Sequence, residues 1–262
     1  MIKSVSCGSN RQEVNLLSFR DGRASQRSIA NELGLTAPSL NYRFKKLEDE
    51  GVIKGFKLYL NPNLNFKYQM FVAFKNYDDF SADWISFKLK CLEWLNVYNI
   101  LGDSLTDLKS KVSEMSSKLG DPAMSYVPLQ SMIKLSSLSR KIIDYLMEDP
   151  RRPLSEISEI LKVNTKTVER HVKYMIYKGI IMVIPLIDIP KADIVMFSMF
   201  SKQIDSLDET LQRCKVWKFS DGSAGVTTCV TENMELAKRY IDASRKVDPK
   251  ADVMIVYDYD FK

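Results

Sequence analysis

A chain of 262 residues with 45% apolar content can bury more than one core, and its 27% charged content suits a water-exposed surface. No apolar run is long enough to span a bilayer, and the start, Met1-Ile2-Lys3-Ser4-Val5-Ser6, lacks the apolar block of a signal peptide, so a cytoplasmic protein is expected. One histidine, His171, argues against histidine-based metal or catalytic sites, and the net charge of +5 permits a polyanionic partner without requiring one. The four cysteines, Cys7, Cys91, Cys214 and Cys229, are far apart with no CxxC pair, so reduced thiols are expected rather than a disulfide or zinc framework. No catalytic residue, cofactor or metal is assigned.

In chain order, Val14 and Leu17 suggest a helix ending near Arg20, which Asp21-Gly22-Arg23 breaks. Ser25 then stands at an N-cap position, and a second helix over 26–33 would turn Ile29, Ala30 and Leu33 inward. Gly34 supplies a tight exit. Thr36 caps a third helix to about Glu50, with Pro38 in its first turn and Leu40, Phe44 and Leu47 facing inward. Gly51 ends it, and residues 52–60 are expected as two short strands around Lys54-Gly55, a wing.

Next come a strand over 68–74, a helix over 84–91, a strand over 95–101, a helix over 105–119 and a strand over 124–129. A third strand is missing or very short in this reading, because Gly102-Asp103-Ser104 runs almost straight into the helix. Helices over 139–147, 154–161 and 165–177 follow, with Asn164 as a cap and Gly179 as a stop, then a second wing over 180–189. The remainder reads as strand 192–201, helix 207–214, strands 216–219 and 225–231, helix 234–246 and strand 252–259. That order, βαββαβ, is ferredoxin-like. Trp84, Trp94 and Trp217 are expected in cores or interfaces.

The chain says nearly the same thing twice, 128 positions apart: Asp21 matches Asp149, Arg23 matches Arg151, Ile29 matches Ile157 and Leu33 matches Leu161. Leu40, Phe44 and Leu47 match Val168, Val172 and Met175, and Gly51-Val52-Ile53 matches Gly179-Ile180-Ile181. Two copies of one large unit are therefore expected. Three short helices and a wing, with a tight turn between helices two and three, describe a winged helix-turn-helix.

Asp21-Gly22-Arg23-Ala24-Ser25, Ile29-Ala30, Gly34-Leu35-Thr36, Arg43 and Leu47-Glu48-Asp49-Glu50-Gly51-Val52-Ile53 resemble the DNA-binding domain of the Lrp/AsnC (feast/famine) regulators. The second copy departs further from that pattern, with Pro150 for the glycine and Pro153 at the serine. The resemblance implies an α+β fold: two winged helix-turn-helix domains, 10–62 and 136–190, each followed by a ferredoxin-like (RAM-like) domain, 63–130 and 191–262, the first of these degenerate. It also implies a double-stranded DNA partner and, from the fusion, an archaeal style of regulator.

A recognition helix needs a polar outer face to meet the major groove. In copy one that face is Ser39, Asn41, Tyr42, Arg43, Lys45 and Lys46, with Asn41 and Arg43 suited to base edges and the lysines to phosphates. In copy two it is Lys166, Thr167, Arg170, His171 and Lys173. Lys54 and Lys57 flank the first wing as further phosphate contacts; the second wing has no cation, so copy one is expected to carry more of the backbone affinity. The simplest assembly pairs the two ferredoxin-like halves within one chain, an intramolecular pseudo-dimer; the competing one is a homodimer that pairs each half with a second chain.

The family often binds an amino-acid effector at a turn between the second and third strands. Gly102-Asp103 and Asp221-Gly222 fall near that place without fitting it, and no effector residue is assigned. Two rival readings stand beside the regulator. Siroheme decarboxylases resemble Lrp/AsnC proteins in architecture and use histidines around a tetrapyrrole, yet neither ferredoxin-like half here holds a histidine. The other rival is a protein- or RNA-interaction module, against which the basic third helix of copy one argues.

Overall fold

Residues 22–23, 26–76, 78–93 and 95–262 are described by the computed structural model. The expected helix of Val14 and Leu17, together with Asp21, Ser25 and Trp94, lies outside the described residues.

Helices α1 (Gln26–Glu32) and α2 (Ala37–Asp49) pack through Ile29, Ala30, Leu40, Phe44 and Leu47, all buried. The spacing of the last three gives α2 one apolar face. Its start is set by Thr36, whose Oγ1 accepts the Ser39 N–H at 3.3 Å, with Pro38 in the first turn. The expected wing does not form. Residues Ile53–Leu60 are one strand, β1, because Gly55 makes a bulge at φ 139° rather than a turn.

The first ferredoxin-like half contains β2 (Tyr68–Lys75), β3 (Ile85–Cys91), β4 (Leu95–Gly102), α3 (Leu105–Leu119) and β5 (Pro122–Tyr126). The structure reverses the expectation of a helix over 84–91 and a missing third strand: that helix is absent and the strand is present. The cause is a period of two. Ile85, Phe87, Leu89 and Cys91 are buried, while Lys88 and Lys90 lean out to Asp79 at 2.7 and 3.4 Å. Gly102-Asp103-Ser104 runs into α3 because Ser104 is its N-cap, accepting the Asp107 N–H at 3.1 Å.

The second half opens with α4 (Ser137–Glu148), α5 (Leu154–Leu161) and α6 (Thr165–Tyr177), joined through Ile142, Leu146, Ile157, Val168, Val172 and Met175. Lys162 ends α5 at φ 54°, where Gly34 ends α1 at φ 64°. A side chain costs about 1–2 kcal/mol in that left-handed region. Lys162 is exposed at this helix end and outside the core, so Lys162→Gly is expected to raise stability by about 1 kcal/mol, or about 2–4 °C in a thermal melt.

Strand β6 (Ile181–Ile187) also fails to fold back as a wing. It pairs antiparallel with β1, from Ile53↔Ile187 to Leu60↔Ile181, so each helical head lends its strand to the other. Pairing across the halves buries Ile53, Tyr59, Ile184 and Ile187 in one core, which two separate hairpins would leave exposed.

After the short helix α7 (Ile189–Ala192) come β7 (Val195–Ser201), a 3-10 turn and α8 (Asp208–Leu211), β8 (Lys215–Ser220), β9 (Gly225–Thr231), α9 (Met234–Val247) and β10 (Asp252–Phe261), the full βαββαβ order. All eight body strands form one sheet, β5-β2-β4-β3-β10-β7-β9-β8, joined at β3–β10 with Phe87 opposite Phe261. Helices α3 and α9 cover one face of each half.

The bare faces meet each other. Phe71 of β2 lies 5.4 Å from Phe219 of β8, although those strands are far apart in sheet order, so the sheet curls to bring its two halves face to face. Phe87–Phe219 at 5.5 Å, Tyr126–Phe200 at 5.6 Å and a 2.9 Å bond from the Tyr126 hydroxyl to the Ala224 carbonyl complete this seam. Trp217 is buried in it against Tyr259 and Phe261, while Trp84 packs on Phe80 at the periphery. The Tyr259 hydroxyl donates to the Pro185 carbonyl at 2.7 Å and accepts the Ile187 N–H at 2.9 Å, anchoring the β1–β6 ribbon and its heads to the body.

Candidate nucleic-acid interface

On α2, Asn41, Tyr42, Lys45 and Lys46 are exposed, Tyr42 at 71%, with Ser39 and Arg43 half-buried at their edge. Leu40, Phe44 and Leu47 hold the opposite face. Lys46 reaches Glu50 only at 3.9 Å, and among the described residues Arg43 and Lys45 have no ion-pair partner. Exposed Lys45 and Lys46 beside a half-buried Arg43, on a helix seated by its apolar face, suit phosphate and base-edge contact.

On α6, Lys166, Arg170 and Lys173 are exposed and Thr167 is half-buried. His171, expected to face DNA or solvent, is turned back instead. Its Nδ1 lies 2.8 Å from Ser139 Oγ on α4, within a recess of about 360 Å³ that Leu135 and Tyr174 also line. The 128-residue offset pairs Asn41 with Glu169, Tyr42 with Arg170, Arg43 with His171 and Lys46 with Tyr174, leaving Lys45 and Lys173 as the matched cations. The two helices thus present different chemistry on similar backbones.

Lys54 and Lys57 sit on the β1–β6 ribbon. With no wing tip to carry them, Lys54 pairs with Asp188 at 3.1 Å and the Lys57 ammonium donates to the Phe261 carbonyl. Both cations have partners within the protein, with the Lys54 side chain still 55% exposed.

In sequence Arg23 marks a helix break and part of the repeated pattern, and the structure gives it a further task. The Arg23 guanidinium donates to the carbonyls of Pro150 and, at 2.9 Å, Arg152. Arg151 reciprocates over the rings of Phe56 at 4.5 Å and Phe44 at 5.2 Å. Each head therefore grips the other through the arginine that the repeat aligns, and Arg151 reaches the buried face of α2. Gly22 lies so close to β6 that a Cβ there would stand 2.6 Å from the Val183 carbonyl. The clue in the sequence is the arginine kept at the same place in both copies.

The two aspartate turns are occupied. Asp103 pairs with Lys67 at 2.5 Å. Asp221 Oδ1 accepts from the Ser223 N–H and hydroxyl and the Ala224 N–H, and its Oδ2 accepts the Leu129 N–H at 2.8 Å from the other half. Burial opposes its charge, but these bonds outweigh it and hold the carboxyl well below its ordinary range. A depressed carboxyl stabilises the fold fully above its unfolded value of about 3.9 and loses that contribution as pH falls through its folded one. Asp221→Asn is therefore expected to melt below the native chain at neutral pH, with the gap closing progressively on acidification below about pH 4. A pH series of melts checks this.

Among the described residues no group of His, Cys, Asp and Glu is arranged to hold a metal ion, and no helix is long and apolar enough to cross a membrane.

The winged helix-turn-helix DNA-binding family matches the chain twice, at residues 19–54 and 135–182. The HTH-type transcriptional regulator FL11 of Pyrococcus abyssi (strain GE5 / Orsay) is 31% identical over 108 residues, which is 40% of this chain and 71% of that protein. Among solved structures, the siroheme decarboxylase NirDL aligns over 96% of this chain and 92% of its own at a TM-score of 0.42 and 10% identity. An AsnC family transcriptional regulator from Agrobacterium tumefaciens aligns over 49% of this chain and 94% of its own at a TM-score of 0.32 and 12% identity. With more than two thirds of the archaeal regulator's length spanned and the DNA-binding family matched at both heads, the chain belongs to the Lrp/AsnC family of helix-turn-helix, DNA-binding transcriptional regulators.

Proposed function

We propose that this regulator reads one stretch of double-stranded DNA with two unlike helices, α2 and α6, held as an intramolecular pseudo-dimer, and that it works by occupancy rather than by catalysis. The observation that carries this reading is the cation row on each helix, Arg43 with Lys45 on α2 and Lys166, Arg170 and Lys173 on α6, opposite a buried apolar face. The β1–β6 ribbon and the arginine grip support the pairing, since they tie the heads to each other within one chain. Covalent connection keeps the second head at high effective concentration once the first has bound. The domain limits 10–62, 63–130, 136–190 and 191–262 serve this reading as functional units, with the ribbon crossing between them. No effector is assigned, because the carboxylates of both aspartate turns are already engaged within the protein.

The test is a competition shift assay on the full chain with duplex DNA, structured RNA and an iron tetrapyrrole. Duplex binding that weakens steeply with salt, without an absorbance change on tetrapyrrole addition, is the expected result. Preference for RNA, or a tetrapyrrole spectrum at stoichiometric binding, would replace this reading with one of its rivals.

A further inference from the structure

Cys214 and Cys229 are fully buried beneath α8 and α9, at 1% and 0% exposure, among Phe197, Leu207, Leu211 and Ala237. Cys214 stands one residue before Lys215, which faces Cys229 across the β8–β9 ladder, and its carbonyl accepts the Val230 N–H at 2.8 Å. The two sulfurs are 2.7 Å apart. A covalent S–S bond is only about 0.7 Å shorter than this contact.

Both are free thiols in the structure, as the sequence leads one to expect; from their geometry we infer that Cys214 and Cys229 close into an intramolecular disulfide when a disulfide oxidant is present. The Sγ–Sγ bond forms as both S–H bonds break. The oxidant is a disulfide, either a dithiol-disulfide oxidoreductase or oxidised glutathione, whose own S–S bond takes up the two electrons and two protons as two thiols. Exchange needs a thiolate and access to it; both sulfurs are buried, and burial pushes the Cys229 thiol well up. The bond is therefore made while the β8–β9 hairpin assembles and then persists, as a structural element rather than a cycling switch.

Its position matters to the body. β8 is an edge strand paired only with β9, yet it carries Trp217 and Phe219 into the seam between the halves. One end of the hairpin is fixed by Asp221 and Ala224, which meet Leu129 and Tyr126 of the other half. The disulfide fixes the opposite end.

The test refolds the full chain in a glutathione redox buffer, unfolds it with an alkylating reagent present, and counts reactive thiols. Two of the four are expected to react before reduction and all four after it, with peptide mapping joining Cys214 to Cys229. Reduction should lower the melting temperature by about 5 °C or more, and a Cys214→Ala, Cys229→Ala double variant should not respond to reductant. Four reactive thiols after refolding, a crosslink through Cys7 or Cys91, or a reductant response that survives in the double variant would each overturn the inference.

Discussion

Replacing Arg43, Lys45 and Lys46 together with alanine is expected to weaken duplex binding by about 100-fold or more at physiological salt while leaving the fold intact. Arg43 sits at the edge of the outer face of α2, where a bidentate contact to a base is worth about 1–3 kcal/mol. Lys45 and Lys46 are exposed on that face, and removing each phosphate-binding cation should reduce the slope of log affinity against log salt by about 0.9. The triple variant should therefore lose sequence preference, and its two lysines should together account for about 1.8 of that slope. None of the three side chains belongs to the core that seats α2, so the melting temperature should stay near that of the native chain. Lys54→Ala with Lys57→Ala is the informative contrast. Those cations are engaged by Asp188 and the Phe261 carbonyl, so their removal should touch stability and leave the salt slope unchanged.

The second large effect is on stability. Phe71→Ala is expected to cost about 3–5 kcal/mol, the usual penalty for emptying a fully buried aromatic site. Phe71 has no exposed surface and packs edge-on to Phe87 at 5.8 Å, stacked on Tyr126 at 5.9 Å and tilted against Phe219 at 5.4 Å. Because Phe219 belongs to the other half, the seam should fail as a unit: Phe71→Ala and Phe219→Ala combined should deviate from additivity by about 0.5–3 kcal/mol. Melting of the native chain should also be independent of protein concentration, since the seam lies within one chain. Melting that rises with concentration would mean that the halves pair between chains.

Helix α2 is the most legible part of this molecule. Thr36, Pro38 and the Leu40, Phe44, Leu47 stripe mark the start and inner face of α2 by local chemistry alone, and the structure keeps each of them in that role. The body is legible in strand order for the second half, where alternation and turns are regular. Legibility fails at β3, where a helix is expected although Ile85, Phe87, Leu89 and Cys91 alternate strictly. It fails again at the wings for a different reason. Lys54-Gly55 has turn-like composition, and only the availability of β6 as a partner decides that Gly55 becomes a bulge. His171 belongs to the same class: its helix position points outward in a periodic reading, but Ser139 on a neighbouring helix offers a bond that turns it inward. Local signals survive folding; those that need a distant partner do not declare themselves in sequence.

Binding-site selection from a randomised pool of duplexes, using the full chain, tests the central claim most directly. Two unlike half-sites within one selected site are predicted, with Asn41→Ala and Arg43→Ala relaxing one of them and Arg170→Ala relaxing the other. Two identical half-sites, or a pool from which no duplex is enriched, would contradict it.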